Sequence, residues 1–355
     1  MNRQNGVNYS PDYDVIVIGS GPAGCSAAIN CRNLGLSVLI VTKQSNDKPV
    51  DSYCPSESIH PGILSLLNHI GAGSILEKSS VGKYIGIKRG AEIDYFANNE
   101  DGISEGNHIN KSIFNKEFIE LTRKANTHIL FNESVTEFVK SGNNIVGVTT
   151  NTNRQIIAKY IIDASGRTRV AGKVLGLTEY YHSPKLFLCS GKITGIPGDL
   201  MFDSNLAMFI LKENGWLWLA PEKSNSCTYT SLGIHGQQGI EIPLELESKG
   251  VLQKSTRCNM RWRSYKTVAM EGIIICGDAA SIIDPAAGQG ILTAIYSGIK
   301  ATETAANCIK NPEKEPEYLV NYSTWLTNEA TKKNEQVKEF YAKKFVAFDN
   351  MWAPL

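Results

Sequence analysis

A glycine-rich turn near the amino terminus is the first feature of the chain that could do chemistry. It follows an apolar run, Val15 to Ile18, that is typical of a buried strand, and it opens a segment of helical composition. In such a turn the first glycine permits a tight bend, the second lets the backbone approach a pyrophosphate, and the third lets the helix pack on the strand. The residues predicted to hold this pyrophosphate are Gly19, Gly21, Pro22, Ala23 and Gly24. Alone, this turn suits NAD as well as any other dinucleotide.

Two further motifs place a turn directly after a strand-like run. Asp163 follows the first run and is part of an Asp-Ala-Ser-Gly sequence, and Asp278 follows the second run, before a long helical pattern. The N-terminus of that helix could receive a second anionic part of a large cofactor, because its N–H groups are free and the helix dipole is positive there. Asp278 alone is also compatible with an ordinary helix cap. The cofactor contacts predicted in these motifs are Asp163, Gly277, Asp278, Pro285, Gly288, Gln289, Gly290 and Ile291.

These turns can meet only if a parallel sheet brings the ends of their strands together. Residues 13–42 have the pattern of one βαβ unit, whereas 81–109 and 186–234 alternate like strands of a different sheet. Helices are predicted over 59–70, 111–125 and 288–309. The sequence therefore predicts an α/β fold in which a cofactor domain is interrupted by a β-sheet for the substrate. The cofactor domain is predicted over 1–80, 110–180 and 266–310, the substrate domain over 81–109 and 181–265, and a C-terminal helical segment over 311–355.

Composition excludes several classes of protein. The chain has 355 residues and a net charge of +1, which argues against nucleic acid and anionic membranes as partners. No apolar run is long enough to span a bilayer, and residues 1–12 lack the features of a signal peptide, so we expect a cytoplasmic protein without a membrane span. The eight cysteines form no CxxC pair, so we expect neither a metal site nor disulfides.

The three motifs together resemble the FAD-dependent monooxygenase superfamily, which includes aromatic hydroxylases and flavin halogenases. The resemblance covers about residues 13–310. It implies a Rossmann-like FAD-binding domain of the aromatic hydroxylase type, interrupted by a mixed or antiparallel sheet. It also implies that the Gly19–Gly24 turn holds the FAD pyrophosphate, that Asp278 accepts from the ribityl chain, and that Pro285, Gly288 and Gly290 lie beside the isoalloxazine.

The adenosine end of the site departs from the family pattern. The family usually has an acid after the second strand, where it takes the ribose hydroxyls, but this chain has Thr42 and Lys43. Both are still expected to contact the cofactor. The resemblance also places Lys111 near the cofactor, where related proteins often carry an arginine, and Val135 and Ser56 are predicted as further contacts.

Two segments bear on the chemistry. Ser56 to Pro61, Ser-Glu-Ser-Ile-His-Pro, resembles the Gly-Glu-Ser segment of halogenases and isoprenoid reductases, and its Glu57 and His60 are candidates for acid–base catalysis. The alternative is that Ser58 caps a helix. Trp216-Leu-Trp218-Leu-Ala-Pro resembles the Trp-x-Trp-x-Ile-Pro signature of flavin halogenases, and its two indoles are predicted to share one strand face, beside the substrate or in the core.

Halogenation would also need a lysine on the strand after the Glu57 segment. Lys83 is the candidate for the substrate pocket, but neither it nor Lys88 falls cleanly in register, and Tyr84 matches as well. The Gly-Gln-Gly at 288–290 is the form found in hydroxylases. The resemblance therefore favours a monooxygenase that hydroxylates an aromatic, indole-like substrate through a flavin hydroperoxide.

A narrower resemblance suggests the substrate. The two segments are similar to those of flavoproteins that mature the tryptophan-derived quinone cofactor (cysteine tryptophylquinone) of lysine and glycine oxidases, by hydroxylating a tryptophan of a precursor protein. That oxidase precursor would then be the partner. Reduced flavin would come from NAD(P)H or a separate reductase, because no second dinucleotide turn is present. The alternatives are a tryptophan or indole halogenase, an isoprenoid reductase, and a non-catalytic FAD-binding assembly factor.

We expect FAD to be lost partly during purification. A charged acceptor at the ribose would typically contribute about 1.5–3 kcal/mol, whereas the neutral hydroxyl of Thr42 contributes about 1 kcal/mol. The measurement is the flavin-to-protein ratio from absorbance before and after gel filtration. A stoichiometric flavin that survives this step would contradict the expectation.

Overall fold

The computed structural model describes residues 10–46, 56–96, 98–99, 102–142, 144–195, 205–212, 215–222, 226–234, 250–252 and 256–344. The helices in these ranges are α1 (Pro22–Asn33), α2 (Ile63–His69), α3 (Ser74–Ser79), α4 (Lys111–Lys124), α5 (Val170–Val174), α6 (Gly290–Lys310) and α7 (Glu315–Lys344). The strands are β1 (Tyr13–Ile18), β2 (Val38–Val41), β3 (Ser56–Ile59), β4 (Ser80–Tyr84), β5 (Gly86–Arg89), β6 (Glu92–Tyr95), β7 (Asn98–Asn99), β8 (Gly102–Ile103), β9 (Gly106–Asn110), β10 (His128–Leu130), β11 (Val135–Ser141), β12 (Asn144–Thr150), β13 (Gln155–Asp163), β14 (Glu179–Tyr181), β15 (Leu186–Thr194), β16 (Leu206–Lys212), β17 (Gly215–Glu222), β18 (Ser226–Ile234), β19 (Val251–Leu252), β20 (Thr256–Asn259), β21 (Arg263–Tyr265), β22 (Ala269–Met270), β23 (Ile273–Ile275) and β24 (Ser281–Ile282).

A parallel sheet forms the centre of the first half of the fold. Its strands run in the order β10-β2-β1-β13-β23, and all of these pairs are parallel. Val15, Ile16 and Val17 of β1 are completely buried, because a central parallel strand is covered on both faces. Helices α1 and α6 pack on each other, and Thr302 Oγ1 of α6 donates to the carbonyl of Ala27, 3.1 Å away. The carboxyl ends of β1, β13 and β23 therefore lie side by side.

The long strand β13 takes part in both antiparallel and parallel pairing. Its first residues pair antiparallel with β12, which pairs with β11, and from Ala158 onward it runs parallel with β1. An antiparallel three-stranded unit is thus continuous with the parallel sheet.

A second large sheet has the strand order β19-β15-β18-β17-β16-β5-β6, with β20 also paired to β15. All its pairs are antiparallel except β16 with β5. The predicted interruption of the cofactor half by a mixed, mostly antiparallel sheet is therefore confirmed as a fold class. The exact domain boundaries stay a prediction: β5 and β6 join this sheet, but β4 and β9 form a separate small sheet with β3.

The segment around Glu57 differs from the prediction. The sequence predicts a helix over 59–70, but β3 occupies Ser56–Ile59 and α2 begins only at Ile63. Ser58 is therefore not a helix cap. It is paired with His108 of β9, and this pairing holds the segment extended. Helix α7 confirms that the C-terminal segment is helical to Lys344, and the remainder of the predicted segment, 345–355, lies outside the described residues.

Three further observations concern the described ranges only. No three His, Cys, Asp or Glu side chains there are grouped so that they could hold a metal ion. The cysteines that are described carry free thiols. None of the helices in these ranges combines the length and the apolar character needed to cross a bilayer.

Gly298→Ala is expected to destabilise the fold. A Cβ at Gly298 of α6 would lie 2.4 Å from the carbonyl oxygen of Ala23, so α6 would have to move away from α1. We expect a loss of about 1–3 kcal/mol, as for other overpacked cores, despite the better helix propensity of alanine. Urea unfolding measures the change, and the exposed Asn307→Ala in the same helix serves as the control. Equal stability of Gly298→Ala and wild type would contradict the close packing of the two helices.

Candidate functional site

The glycine-rich turn lies between β1 and α1, and its three glycines have different surroundings. Gly19 has φ +98°, a conformation that favours glycine, and a Cβ there would lie 2.7 Å from the carbonyl oxygen of Ala164. A Cβ at Gly24 would lie 1.9 Å from the carbonyl oxygen of Gly19. At Gly21 a Cβ would meet no atom within 4 Å. The first and third glycines therefore hold the turn closed, and the second leaves open space in front of the N-terminus of α1.

Asp163 ends the neighbouring strand, and its carboxylate serves the backbone. Oδ1 accepts from the N–H of Ser165 at 2.9 Å, and Oδ2 accepts from the N–H of Ala171 at 2.6 Å. The side chain is completely buried, and burial raises its pKa. Asp163 is predicted as a cofactor contact. In the structure it fixes the turn after β13, and the carbonyl of Ala164 in that turn packs against Gly19.

Asp278 lies in the turn after β23, and unlike the carboxylate of Asp163 its carboxylate is not used by the backbone in the described ranges. Among the described residues its carboxylate has no hydrogen-bond partner, although its surroundings are rich in positive charge. Burial raises the pKa of Asp278, and the charges of Lys111, Arg167 and Arg263 partly offset this effect. An acceptor that no protein group uses, facing cationic side chains, fits a ligand that carries both hydroxyl and phosphate groups.

Arg263 is a residue that the sequence did not identify as part of the cofactor site. Its side chain is 3% exposed, and its guanidinium donates to the carbonyl oxygens of Asp278, at 2.5 Å, and of Ala279, at 3.5 Å. Arg263 belongs to β21, and from there its side chain fixes the backbone of the turn that contains Asp278. No local pattern could have identified it, because the contact joins strands that are not adjacent in sequence.

Glu57 and Lys111 are brought together by β3 and α4. Lys111 is the first residue of α4, and its ammonium forms an ion pair with the carboxylate of Glu57. The charge of Glu57 raises the pKa of Lys111, and Asp278 adds to this effect. About 40% of each side chain is exposed, so the pair faces solvent or a ligand. The predicted acid–base residue and the predicted cofactor contact thus form one unit.

Ser58 connects this unit to Trp218. The indole N–H of Trp218 donates to Ser58 Oγ at 2.8 Å, and Ser58 Oγ lies 2.9 Å from His108 Nδ1. Tyr84 stacks on His108 with ring centroids 4.5 Å apart. Burial lowers the pKa of His108 to about 4, so its ring is neutral at neutral pH, and its buried Nε2 has no partner in the described part of the chain. The Ser-Glu-Ser and Trp-x-Trp segments therefore meet through a side-chain hydrogen bond.

Ser56, predicted as a cofactor contact, is bonded elsewhere. Its hydroxyl donates to Glu222 at 2.5 Å, and Glu222 also accepts from Lys192 at 2.6 Å and from Thr228. Burial raises the pKa of the Glu222 carboxyl, but these donors hold it below its usual value overall. Ser56 therefore anchors β3 to the large sheet through a buried charge that the sequence did not reveal.

The two tryptophans lie on the same face of β17, as their spacing predicts. Phe209 contacts both rings, with centroids 5.4 Å from Trp216 and 6.4 Å from Trp218. Trp216 is 2% exposed and belongs to a buried cluster, whereas Trp218 is partly exposed. Only Trp218 is therefore available to line an open site.

The prediction that Lys83 lines the substrate pocket is wrong. Its side chain is 61% exposed and is paired with Glu105 on the surface, at 2.6 Å. Successive residues of a strand point to opposite faces, and Tyr84 is the one that points inward, onto His108. Lys83 therefore does not line a pocket with Trp218.

His60, predicted as an acid–base residue, is exposed, and its Nδ1 accepts from the backbone N–H of Gly62 at 3.0 Å. Desolvation lowers its pKa. One ring nitrogen thus supports the turn before α2.

Thr42 and Lys43 lie at the proposed adenosine end of the site. Thr42 is 4% exposed, and its hydroxyl lies 2.9 Å from Ser20 Oγ and accepts from the N–H of Gln44 at 3.2 Å. Lys43 donates to the hydroxyl of Thr168 at 3.2 Å. Val135 starts β11 with its side chain in the core, 7% exposed. Within the described residues, no acid occupies the position after β2.

The loop before α6 completes the site. Pro285–Ala287 form a single 3-10 turn, which ends at Gly288 with φ +62°. A Cβ at Gly288 or Gly290 would meet no atom within 4 Å, so the backbone here is open to close approach. Gln289 precedes the first turn of α6, and Ile291 packs against a buried apolar cluster. Together with the open Gly21 and the unpaired Asp278, this arrangement fits a large dinucleotide with a flat ring system.

Comparison with protein families decides the relationship. The family model described as "Glucose inhibited division protein A" matches residues 14–196, which is more than half of the 355-residue chain. The chain belongs to this family. The match spans β1 through β15, and so includes both the glycine-rich turn and Asp163.

Similar proteins include reductases, halogenases and a hydroxylase. A digeranylgeranylglycerophospholipid reductase of Methanococcoides burtonii is 26% identical over 334 residues, which cover 87% of this chain and 78% of that protein. The flavin-dependent halogenase CmlS superposes with a TM-score of 0.84 at 17% identity, covering 98% of this chain and 68% of CmlS. The peptidyl tryptophan dihydroxylase QhpG has a TM-score of 0.73 at 16% identity, covering 96% and 78%.

The two structural similarities establish the fold alone. The fold expected from the resemblance to the FAD-dependent monooxygenase and flavin halogenase superfamily is confirmed. The protein is an oxidoreductase, and its cofactor is FAD. We propose that the Gly19–Gly24 turn, Asp278 and the 285–290 loop hold the FAD.

Gly24→Val is expected to abolish FAD binding. Any Cβ at this position would collide with the carbonyl oxygen of Gly19 at 1.9 Å, so the turn and the N-terminus of α1 would separate. The matched control is Asn33→Val, at the exposed far end of α1. FAD titration monitored by flavin fluorescence measures both variants. Wild-type affinity in a folded Gly24→Val protein would contradict this assignment of the phosphate site.

Proposed function

We propose that the protein is an FAD-dependent monooxygenase that hydroxylates an aromatic, indole-like substrate. The observation that carries this proposal is the orientation of β4. Its inward residue beside Ser58 and Trp218 is Tyr84, and its lysine, Lys83, is exposed and paired with Glu105. Because halogenation in the resembling family requires a lysine on this strand, the arrangement supports oxygen insertion rather than halogen transfer.

Each part of the site has a role in this proposal. FAD, once reduced, would supply the activation of dioxygen, which no side chain can provide. The Gly19–Gly24 turn and Asp278 would bind it. Glu57, held in place by Lys111, is the group we assign to proton transfer, because it is the carboxylate beside the cofactor residues that remains partly exposed. Trp218, with the buried Tyr84 ring packed edge-on behind it, would provide an apolar wall that excludes water from the ring.

We further propose that the substrate is a tryptophan side chain of a precursor protein, matured to cysteine tryptophylquinone. The resemblance of the Ser-Glu-Ser and Trp-Leu-Trp segments supports this substrate, and the similar fold of QhpG, a peptidyl tryptophan dihydroxylase, is consistent with it. The partner would be the precursor of a quinone-dependent oxidase, and an external reductant or flavin reductase would supply electrons. A cytoplasmic location is part of the same proposal.

A second candidate is the reduction of isoprenoid double bonds. It is favoured by the 26% identity to a digeranylgeranylglycerophospholipid reductase across 87% of the chain. The two activities differ in their need for oxygen, since a reductase adds hydrogen and works without dioxygen. A third reading, an FAD-bound assembly factor, predicts partner binding without turnover.

Mass spectrometry of products separates these functions. Purified protein with reduced FAD, dioxygen and bromide is offered free tryptophan, a tryptophan-containing precursor protein and a geranylgeranyl lipid. We expect the indole substrate to gain oxygen. A gain of bromine would establish halogenation instead. Hydrogenation of the lipid in a parallel reaction without dioxygen would establish the reductase, and no product from any substrate in either reaction would support the assembly factor.

Two variants sharpen this experiment. Glu57→Gln is expected to lower the rate of hydroxylation about 100-fold or more, because it removes the proton acceptor and keeps the shape. Lys83→Ala, on the outer face of the same region, is expected to retain the wild-type rate. Loss of product with Lys83→Ala would contradict the proposal and support halogenation.

A further inference from the structure

A buried carboxylate lies directly before the loop assigned to the isoalloxazine. Asp284 is 1% exposed, and its carboxylate accepts three hydrogen bonds within the described part of the chain. Oδ1 accepts from the N–H of Ala286 and from the hydroxyl of Tyr341, both at 2.8 Å, and Oδ2 accepts from the indole N–H of Trp262 at 2.7 Å. A buried charge is costly unless it is satisfied in this way.

The donors belong to different parts of the fold. Ala286 lies in the 3-10 turn of the loop, Trp262 lies just before β21, and Tyr341 lies near the C-terminal end of α7. The hydroxyl of Tyr341 also accepts from the indole N–H of Trp216 in β17, at 2.7 Å. The loop and the C-terminal helix therefore both bond directly to Asp284, and the large sheet is connected to it through Tyr341.

The direction of these hydrogen bonds is fixed by chemistry. An indole N–H can only donate, so Trp216 must donate to Tyr341, and the single phenolic proton of Tyr341 is left for Asp284. The carboxylate ends the chain as acceptor. Burial raises the pKa of Asp284 to about 6, which still leaves the group largely ionised at neutral pH.

We propose that Asp284 and Tyr341 are positioning residues that tie the 285–290 loop to the C-terminal helix, so that docking of α7 sets the affinity of the site for FAD. Asp284 Oδ1 accepts from the N–H of Ala286, and the turn that contains Ala286 ends at Gly288, where the backbone is open to the cofactor. If Tyr341 loses its hydroxyl, the carboxylate loses one of its three donors, and the N–H of Trp216 loses its acceptor. The loop is then no longer held from the helix side.

This inference rests on the assignment of the 285–290 loop to FAD, but it does not depend on the substrate. Product analysis alone decides between hydroxylation, halogenation and reduction. FAD binding needs no substrate, so a failure in one experiment is not a failure in the other.

The test is Tyr341→Phe, which removes one oxygen atom. We expect the dissociation constant for FAD to rise about tenfold, the equivalent of one buried hydrogen bond, and the visible absorption and fluorescence of the bound flavin to change. The matched control is Tyr160→Phe. Tyr160 donates to Glu315 at the opposite end of α7, so its loss loosens the same helix but leaves Asp284 untouched. The control is expected to keep the wild-type flavin spectrum and FAD affinity.

A second variant changes the acceptor at the centre of the network instead of one of its donors. Asp284→Asn keeps an oxygen for Ala286 and Tyr341 but turns an NH₂ group toward the N–H of Trp262, so we expect it to weaken FAD binding as well. The proposal is overturned if Tyr341→Phe and Asp284→Asn bind FAD with wild-type affinity and spectrum. It is equally overturned if Tyr160→Phe weakens FAD binding as much as Tyr341→Phe does.

Discussion

The buried carboxylate of Asp163 is the constraint on which the cofactor side of the fold depends. It ends β13, and both its oxygens are used by backbone N–H groups, those of Ser165 and Ala171. This fixes the chain immediately after the strand, where the carbonyl of Ala164 forms the wall against which Gly19 bends. The same strand end receives the N–H of Cys276 from β23, so the turns after β1, β13 and β23 are held in one line. A dinucleotide can extend across them only because of this alignment.

The chemical side of the site is built by a different principle. No single segment contains it, since β3 supplies Glu57 and Ser58, α4 supplies Lys111, and β17 supplies Trp218. The hydrogen bond from Trp218 to Ser58 joins the large sheet to the segment that carries Glu57, and the ion pair with Lys111 joins that segment to the cofactor side. A carboxylate on a segment that is held in this way, by the large sheet on one side and by α4 on the other, keeps its place only when both elements are docked.

The sequence could predict the features that short-range sterics dictate. The glycine turn, the strands around it and the shared face of Trp216 and Trp218 all follow from local geometry. It could not predict contacts between residues far apart in the chain, such as those of Tyr341 with Trp216, 125 positions away. The register of β4 shows the limit most clearly. Lys83 and Tyr84 are neighbours, and a shift of one residue exchanges the inner and outer faces, so no pattern of residue types could choose between them.

Because no acid follows β2 at the proposed adenosine end, the opposite end of the site has a larger role in binding. Around Thr42, hydroxyl and amide groups bond mainly to one another, so little polar capacity is left for a ribose. At the other end, the open carboxylate of Asp278 lies among three cationic side chains, and its turn is fixed by Arg263. Charged hydrogen bonds contribute about 1.5–3 kcal/mol each, against about 1 kcal/mol for neutral ones. Affinity for the cofactor should therefore be concentrated where the turns and the loop meet the flavin half, and any element that orders that loop acts directly on binding.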